Sequence, residues 1–299
     1  MTSNQQGFTL VELMISLVLG LIIVAAGTML FLSAYKNLAI QNASSEQQNN
    51  ANFALNYILK DLRIINLNTQ STTLNKSTEF GGIIFGETST CAGDNVIDKW
   101  SCTNESKSNI ENHSNDRLTI RYRPQYINSF DCAGNKIEDT TNYVVQTYFV
   151  RPVSTTDLAQ DENASNTFAL VCQAGRQNPI TKSITWTENG SQMIMNRVDY
   201  FKVNLIIQKK TNIREIPISD YTDSTDSTDS TDNKDNTNNI IGIHVEVIAR
   251  SPQKISENGL STFHILGDTV TLKNDVSKNY IRERISTTIA IRNAFGGRK

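Results

Sequence analysis

No charged residue falls between Leu13 and Ala34. That run of about 22 residues is long enough for a helix to cross the ~30 Å hydrocarbon core of a bilayer. One carboxylate, Glu12, stands at its front edge. Ser33 to Asn50 is polar but holds neither proline nor glycine, so the helix is predicted to continue. Beyond it, Ala51, Phe53, Ala54, Leu55, Ile58, Leu59, Leu62 and Ile65 recur at spacings of three and four, an amphipathic stripe. The pattern predicts one helix from Phe8 to about Asn66, roughly 90 Å at 1.5 Å per residue. Residues 8–34 form its membrane-length part and 35–66 its amphipathic continuation, with Lys60, Asp61 and Arg63 mainly on the wet side.

From residue 67 onward the period changes from that of a helix to that of strands. Gly81 to Gly86 reads as a short strand framed by glycines. Arg117 to Arg123 alternates: Leu118, Ile120 and Tyr122 face one way, the arginines and Thr119 the other. Further strands are predicted at Tyr143–Val150, at Thr167–Cys172 with Gly175 beginning a turn, and at Ile184–Trp186. Val198–Gln208 and Ile240–Ala249 read as an antiparallel pair, the second with Ile241, Ile243, Val245 and Val247 on one face and ended by Ser251-Pro252. Tyr280–Asn293 closes the series, with Ile285, Thr287, Ile289 and Ile291 on one face. One long helix followed by strands argues an α+β fold, the helix packed on an antiparallel sheet.

Between the paired strands, residues 219–239 form a low-complexity insert in which Asp220, Asp223, Asp226, Asp229, Asp232 and Asp235 recur every third residue. Serine and threonine fill most of the gaps, and nothing after Tyr221 is apolar enough to bury the segment, so a weakly ordered hairpin extension is expected. Aspartates are hard-cation ligands, which makes Asp223, Asp226, Asp229 and Asp232 candidates for weak calcium binding, though the EF-hand pattern is absent.

Composition narrows the function more than it names it. The 299 residues carry a net charge of −2, which does not suggest a general nucleic-acid binder. The local row Arg117, Arg121, Arg123 is either a solvated sheet face or a contact strip for an acidic partner or DNA. No phosphate-cradling loop is present, and the three histidines, His113, His244 and His264, lie too far apart to argue a catalytic or metal triad. The four cysteines, Cys91, Cys102, Cys132 and Cys172, all follow the apolar segment and contain no CxxC pair. In an exported domain they read as two disulfides. Three pairings exist; Cys91–Cys102 with Cys132–Cys172 is favoured, the first closing a short loop and the second stapling two strands.

The start of the chain carries the most specific signal. The head MTSNQQG has no basic residue, and the apolar run is too long for an ordinary signal core. Gly7-Phe8-Thr9-Leu10-Val11-Glu12 with its apolar helix resembles the processing motif of type IV prepilins and pseudopilins. The resemblance implies that residues 1–7 are a leader, cut after Gly7 by a prepilin peptidase that then N-methylates Phe8. Glycine suits the extended entry into a tight protease cleft. A carboxylate at the lipid edge is costly and usually has a partner or a function; the resemblance gives Glu12 the role of setting assembly register by pairing with a neighbouring subunit's terminal amine. The helix dipole also favours a glutamate there.

Later blocks narrow the resemblance. Residues 117–122, Asp131-Cys132-Ala133-Gly134, the strand ending in Cys172 and Ser286 to Asn293 resemble the PilW family of minor pilins. What this implies is a non-enzymatic subunit without a cofactor, held in the inner membrane before assembly with its domain, 67–299, in the periplasm. It would join other minor pilins, the major pilin, the assembly platform and a large tip adhesin in a complex that primes and caps the pilus, supporting adhesion, twitching and DNA uptake. The alternatives are the large minor pseudopilin of a type II secretion system and a surface- or DNA-binding tip module. If the last strand alternates as its pattern predicts, Ile289→Asp lowers the thermal melting midpoint of the domain; an unchanged midpoint would count against that strand.

Overall fold

The computed structural model describes residues 7, 9–71, 73–91, 99–159, 162–187, 190–209, 211–223, 238–255 and 259–294. They divide into two compact units, 1–46 and 47–299. Helix α1, Leu10–Leu62, runs through both. Its first part is apolar all round, with a mean hydropathy of 2.6 over its most apolar window, which makes it long and apolar enough to cross a membrane.

In the second unit the helix is amphipathic. Ala51, Ala54, Leu55, Ile58, Leu62 and Ile65 are buried in the main core, while Phe53 is exposed. Asp61 also turns inward: the Tyr148 hydroxyl donates to its carboxylate at 2.6 Å. The expected wet side is therefore narrower than the charges suggested, because a tyrosine from the sheet supplies the partner a buried carboxylate needs. The helix gives way to turns after Leu62. Asn66 adopts φ 62°, Asn293 Nδ2 donates to the Ile65 carbonyl at 2.9 Å, and Asn66 Nδ2 donates to the Asn293 carbonyl at 3.0 Å. These bonds satisfy carbonyls and turn the chain out of the helix. Gly82 follows from the same junction: a Cβ there would lie 2.4 Å from the Asn66 nitrogen.

The first sheet contains β1 (Phe85–Thr90), β2 (Ser101–Lys107), β3 (Ser114–Tyr122), β4 (Tyr143–Pro152), β5 (Phe168–Gln177) and β6 (Ile184–Trp186) in sequence order. β7 (Gln192–Asn196) also pairs with β5; only β1 and β2 run parallel. Gly175 does not begin a turn. β5 continues through it because β6 packs so closely that a Cβ at Gly175 would meet the Thr185 carbonyl oxygen at 3.0 Å.

The second sheet has four antiparallel strands, β8 (Val198–Lys209), β9 (Asn212–Pro217), β10 (Asn239–Lys254) and β13 (Tyr280–Ala290), ordered β13-β10-β8-β9. A single residue, Arg197 at φ 58°, turns the chain from β7 into β8. β10 runs past Ser251 and Pro252, and a register shift against β8 lies between Ile240 and Gly242. That bulge re-phases the strand, so Ile240, not Ile241, joins Ile243, Val245 and Val247 in the main core. The opposite face is covered too. β11 (Thr262–Ile265) and β12 (Asp268–Thr271) form a hairpin whose Phe263, Ile265 and Val270 pack with Tyr200 and Ile248.

Polar side chains join the sheets. β9 pairs with β8 only from Asn204 onward. Ahead of it, the amide of Phe201 donates to Asn115 Oδ1 at 2.9 Å and that of Val203 to Asp116 Oδ2 at 3.0 Å. Lys202 pairs with Asp116 at 3.4 Å. A buried cluster lies further along. Asp199 accepts from Arg282 Nε, Arg250 lies 3.8 Å from Asp199 and 3.0 Å from Glu162, and Glu162 pairs with Arg197. The Tyr280 ring stacks against the Arg250 guanidinium at 4.6 Å. Disulfides join Cys91 to Cys102, and Cys132 to Cys172 within the core.

Helix α2 (Ile218–Asp223) follows β9, so the insert does not extend a β8–β10 hairpin directly. Tyr221 is buried; its hydroxyl accepts from the Lys76 amide at 3.1 Å and donates to the Asn238 carbonyl at 3.0 Å.

Burial pushes Asp61 up to about 6, partly offset by the Tyr148 hydrogen bond. A raised carboxyl binds its proton more tightly folded than unfolded. Its contribution to stability is present below pH 4 and is lost as pH rises through 6. Asp61→Asn, which still accepts from Tyr148, is therefore expected to stabilise the full chain by about 1–2 kcal/mol at pH 7 and by almost nothing at pH 4. Denaturant titration at both pH values checks this.

Candidate functional site

The first turn of α1 is built by its own side chains. Thr9 is the residue before the helix; its Oγ1 accepts from the Glu12 amide at 3.3 Å and its hydroxyl donates to Glu12 Oε2 at 3.4 Å. The Leu13 amide closes the first helical bond onto the Thr9 carbonyl at 3.2 Å. This is a variant of the capping box, the Thr-x-x-Glu pattern at a helix start. The sequence reading named Thr9 within the motif but missed its capping role, although that spacing was its signal. Gly7 lies exposed just ahead, and Phe8 lies outside the described residues.

Behind this turn the large apolar side chains from Leu10 to Leu32 are 54–76% exposed. A Cβ added at Gly20 or Gly27 would meet nothing within 4 Å. The helix thus presents an uncovered apolar cylinder with one capped carboxylate, Glu12, at its tip.

The arginine row does not form the expected strip. Arg117 and Arg121 are buried, and only Arg123 is exposed, where its Nε donates to the Thr140 carbonyl at 3.0 Å. The face assumed to be wet is covered by neighbouring segments. Arg121 lies beside the stacked pair of rings of Phe80 and Tyr143, 5.2 and 5.7 Å from their centroids. Its Nε and Nη2 donate to the Gly81 carbonyl at 3.0 and 2.7 Å, and Nη1 to Gln177 at 2.5 Å. Burial lowers its pKa to about 10. Arg117 lies 5.3 Å from the Phe149 ring. These two arginines hold the sheet's outer face; they are not poised for DNA.

Of the calcium candidates, Asp226, Asp229 and Asp232 lie outside the described residues, and Asp223 ends α2. Among the described residues, no group of three His, Cys, Asp or Glu side chains is placed to hold a metal ion. A pocket of about 450 Å³ opens on the second sheet, lined by Asn204, Glu215, His244, Glu246, Arg284 and Ser286 among others. Its charges are engaged with one another: His244 with Glu215 and Arg284 with Glu246, both at 3.0 Å. Glu246 also accepts from the Leu266 amide at 2.8 Å, and burial raises its pKa.

Comparison with known proteins accounts for both ends of the chain. Residues 2–28 match the family model described as prokaryotic N-terminal methylation motif. Residues 147–293 match the model described as Type IV Pilus-assembly protein W. Together these matches support placing the chain in the PilW family of prepilins. That placement supports a non-enzymatic, minor-pilin role in type IV pilus biology generally, and the chain has the pilin α+β plan of a long helix and a sheet domain. The apolar helix is consistent with a membrane-anchored precursor. No curated protein matches the sequence. Among solved structures, the Type IV-like pilin TTHA1219 from Thermus thermophilus is similar at 9% identity, over 83% of this chain and 96% of that one. The TM-score is 0.42, too low to carry an inference.

If Arg121 is structural, Arg121→Ala leaves Gly81 and Gln177 without their buried donor. It is expected to cost about 2–3 kcal/mol in denaturant titrations. Arg123→Ala should stay within about 0.5 kcal/mol of wild type.

Proposed function

We propose that this PilW protein is cut after Gly7, N-methylated at Phe8, and packed by its apolar helix into the complex that primes and caps the type IV pilus. The observation that carries the reading is the uncovered apolar cylinder from Leu10 to Leu32, tipped by Glu12. In lipid such a surface is satisfied by acyl chains; drawn out of the bilayer it needs other helices around it. Gly20 and Gly27 leave room for close approach on that surface. Its neighbours there are other minor pilins and the major pilin, with a large adhesin displayed at the tip and the domain carried from the periplasm to the cell surface.

Glu12 sits where an incoming subunit's new amine would approach, and its charge sets the axial register. The capped first turn holds that carboxylate against the Thr9 hydroxyl.

Glu12→Ala is expected to leave cleavage and methylation intact, read by the mass of the mature N-terminus. The same variant should fall sharply in sheared pili and in crosslinked inner-membrane complexes. Normal incorporation would remove the register role, and a mature protein retaining Met1 to Gly7 would remove the whole reading.

A further inference from the structure

The second sheet closes its two edges differently. At the β9 side, charged Arg214 and Glu215 and the ring of Pro217 occupy the edge strand. Beyond the reach of β9, the Asn115 and Asp116 side chains take up the β8 amides. Edge strands are ordinarily blunted by such charges, prolines and side-chain caps. At the other side lies β13, eleven residues long, and among the described residues no strand pairs with its outer edge.

The register says which groups face outward. Pairing with β10 is unbroken from Gly242↔Ala290 to Arg250↔Arg282, and the Ile291 amide donates to the Ile241 carbonyl at 2.8 Å. In an antiparallel ladder, bonded and non-bonded pairs alternate. Residues 283, 285, 287 and 289 therefore direct both backbone groups to β10. Arg284, Ser286, Thr288 and Ala290 direct theirs away from the sheet. All four are exposed. From Ile285 to Ile291 there is no charge and no proline, and the outward set is small: Ser286, Thr288, Ala290. Two cations bracket this neutral stretch, Arg284 and Arg292, both exposed. Arg284 is half exposed at its side chain even while paired with Glu246.

We infer that the β13 edge is a docking site for an extended strand of a neighbouring pilin subunit, added antiparallel or parallel to the sheet, uncharged in its centre and carrying carboxylates at its ends. Only an extended backbone satisfies a row of alternating amides and carbonyls. A second copy of this chain fits less well, since self-pairing about Thr288 sets Arg284 against Arg292. The inference rests on the assembly reading above and adds a contact between domains to the one between helices.

Hydrogen exchange with residue resolution on the full chain tests it, comparing detergent-solubilised subunit with subunit in inner-membrane complexes isolated by crosslinking. The amides of Ser286, Thr288 and Ala290 are expected to exchange freely in the subunit and about a hundredfold more slowly in the complex. Those of Ile285, Thr287 and Ile289 should be slow in both. Thr288→Pro removes one outward amide and no bond to β10; it should lower recovery of partner subunits about tenfold with an unchanged melting midpoint. Thr288→Val, which keeps the amide, should behave as wild type. Incorporated protein whose outward amides stay fast overturns the docking site and leaves the assembly reading standing. Protection that appears in the isolated subunit as its concentration rises overturns the partner in favour of a second copy. Failure of the wild-type chain to enter any complex overturns both.

Discussion

Both sheets are built against one helical stripe. Ala51, Ala54, Leu55, Ile58, Leu62 and Ile65 share one core with residues of the first sheet, such as Leu118 and Leu170, and of the second, such as Val245 and Ile289. Each buried Leu or Ile contributes about 1.5–3 kcal/mol, so this seam is a main source of cohesion in the domain. That stripe is covalently continuous with the apolar first part of the same helix.

Apolar burial sets no particular angle between two sheets, and buried polar groups supply the specificity here. Asn115 and Asp116 supply acceptors to amides that lack a strand partner. Asp199, Arg250, Arg282 and Glu162 bind β8, β10, β13 and the loop before β5 into one network. Such a network is costly if one member is missing and directional when complete.

Where the sequence reading succeeded, a strong period carried it. The helix, the β8–β10 pair and the last strand all show clean repeats, and the prepilin motif is a contiguous string. It failed where a distant residue decides the outcome. Asp61 faces inward because Tyr148 lies 87 positions later to receive it. Arg121 is buried because Phe80 and Gly81 close over it, and nothing in an alternating R-L-T-I-R-Y-R string encodes that cover. A single bulged residue shifted the buried face of β10, and β9 was overlooked because its exposed, charged composition hides a strand. Thr9 was legible from spacing alone.

The Tyr221 hydroxyl has a consequence for how this chain can vary. By bonding at once to Lys76 and to Asn238, it fixes the points where the Asp-rich insert leaves the domain and returns to it. Between those points the sequence repeats a Ser-Thr-Asp triplet from Ser224 to Asp232. Copying or deleting a triplet changes only how many residues of sequence separate two points that this one hydroxyl holds together. The number of triplets can therefore change without altering any residue that bonds to Tyr221.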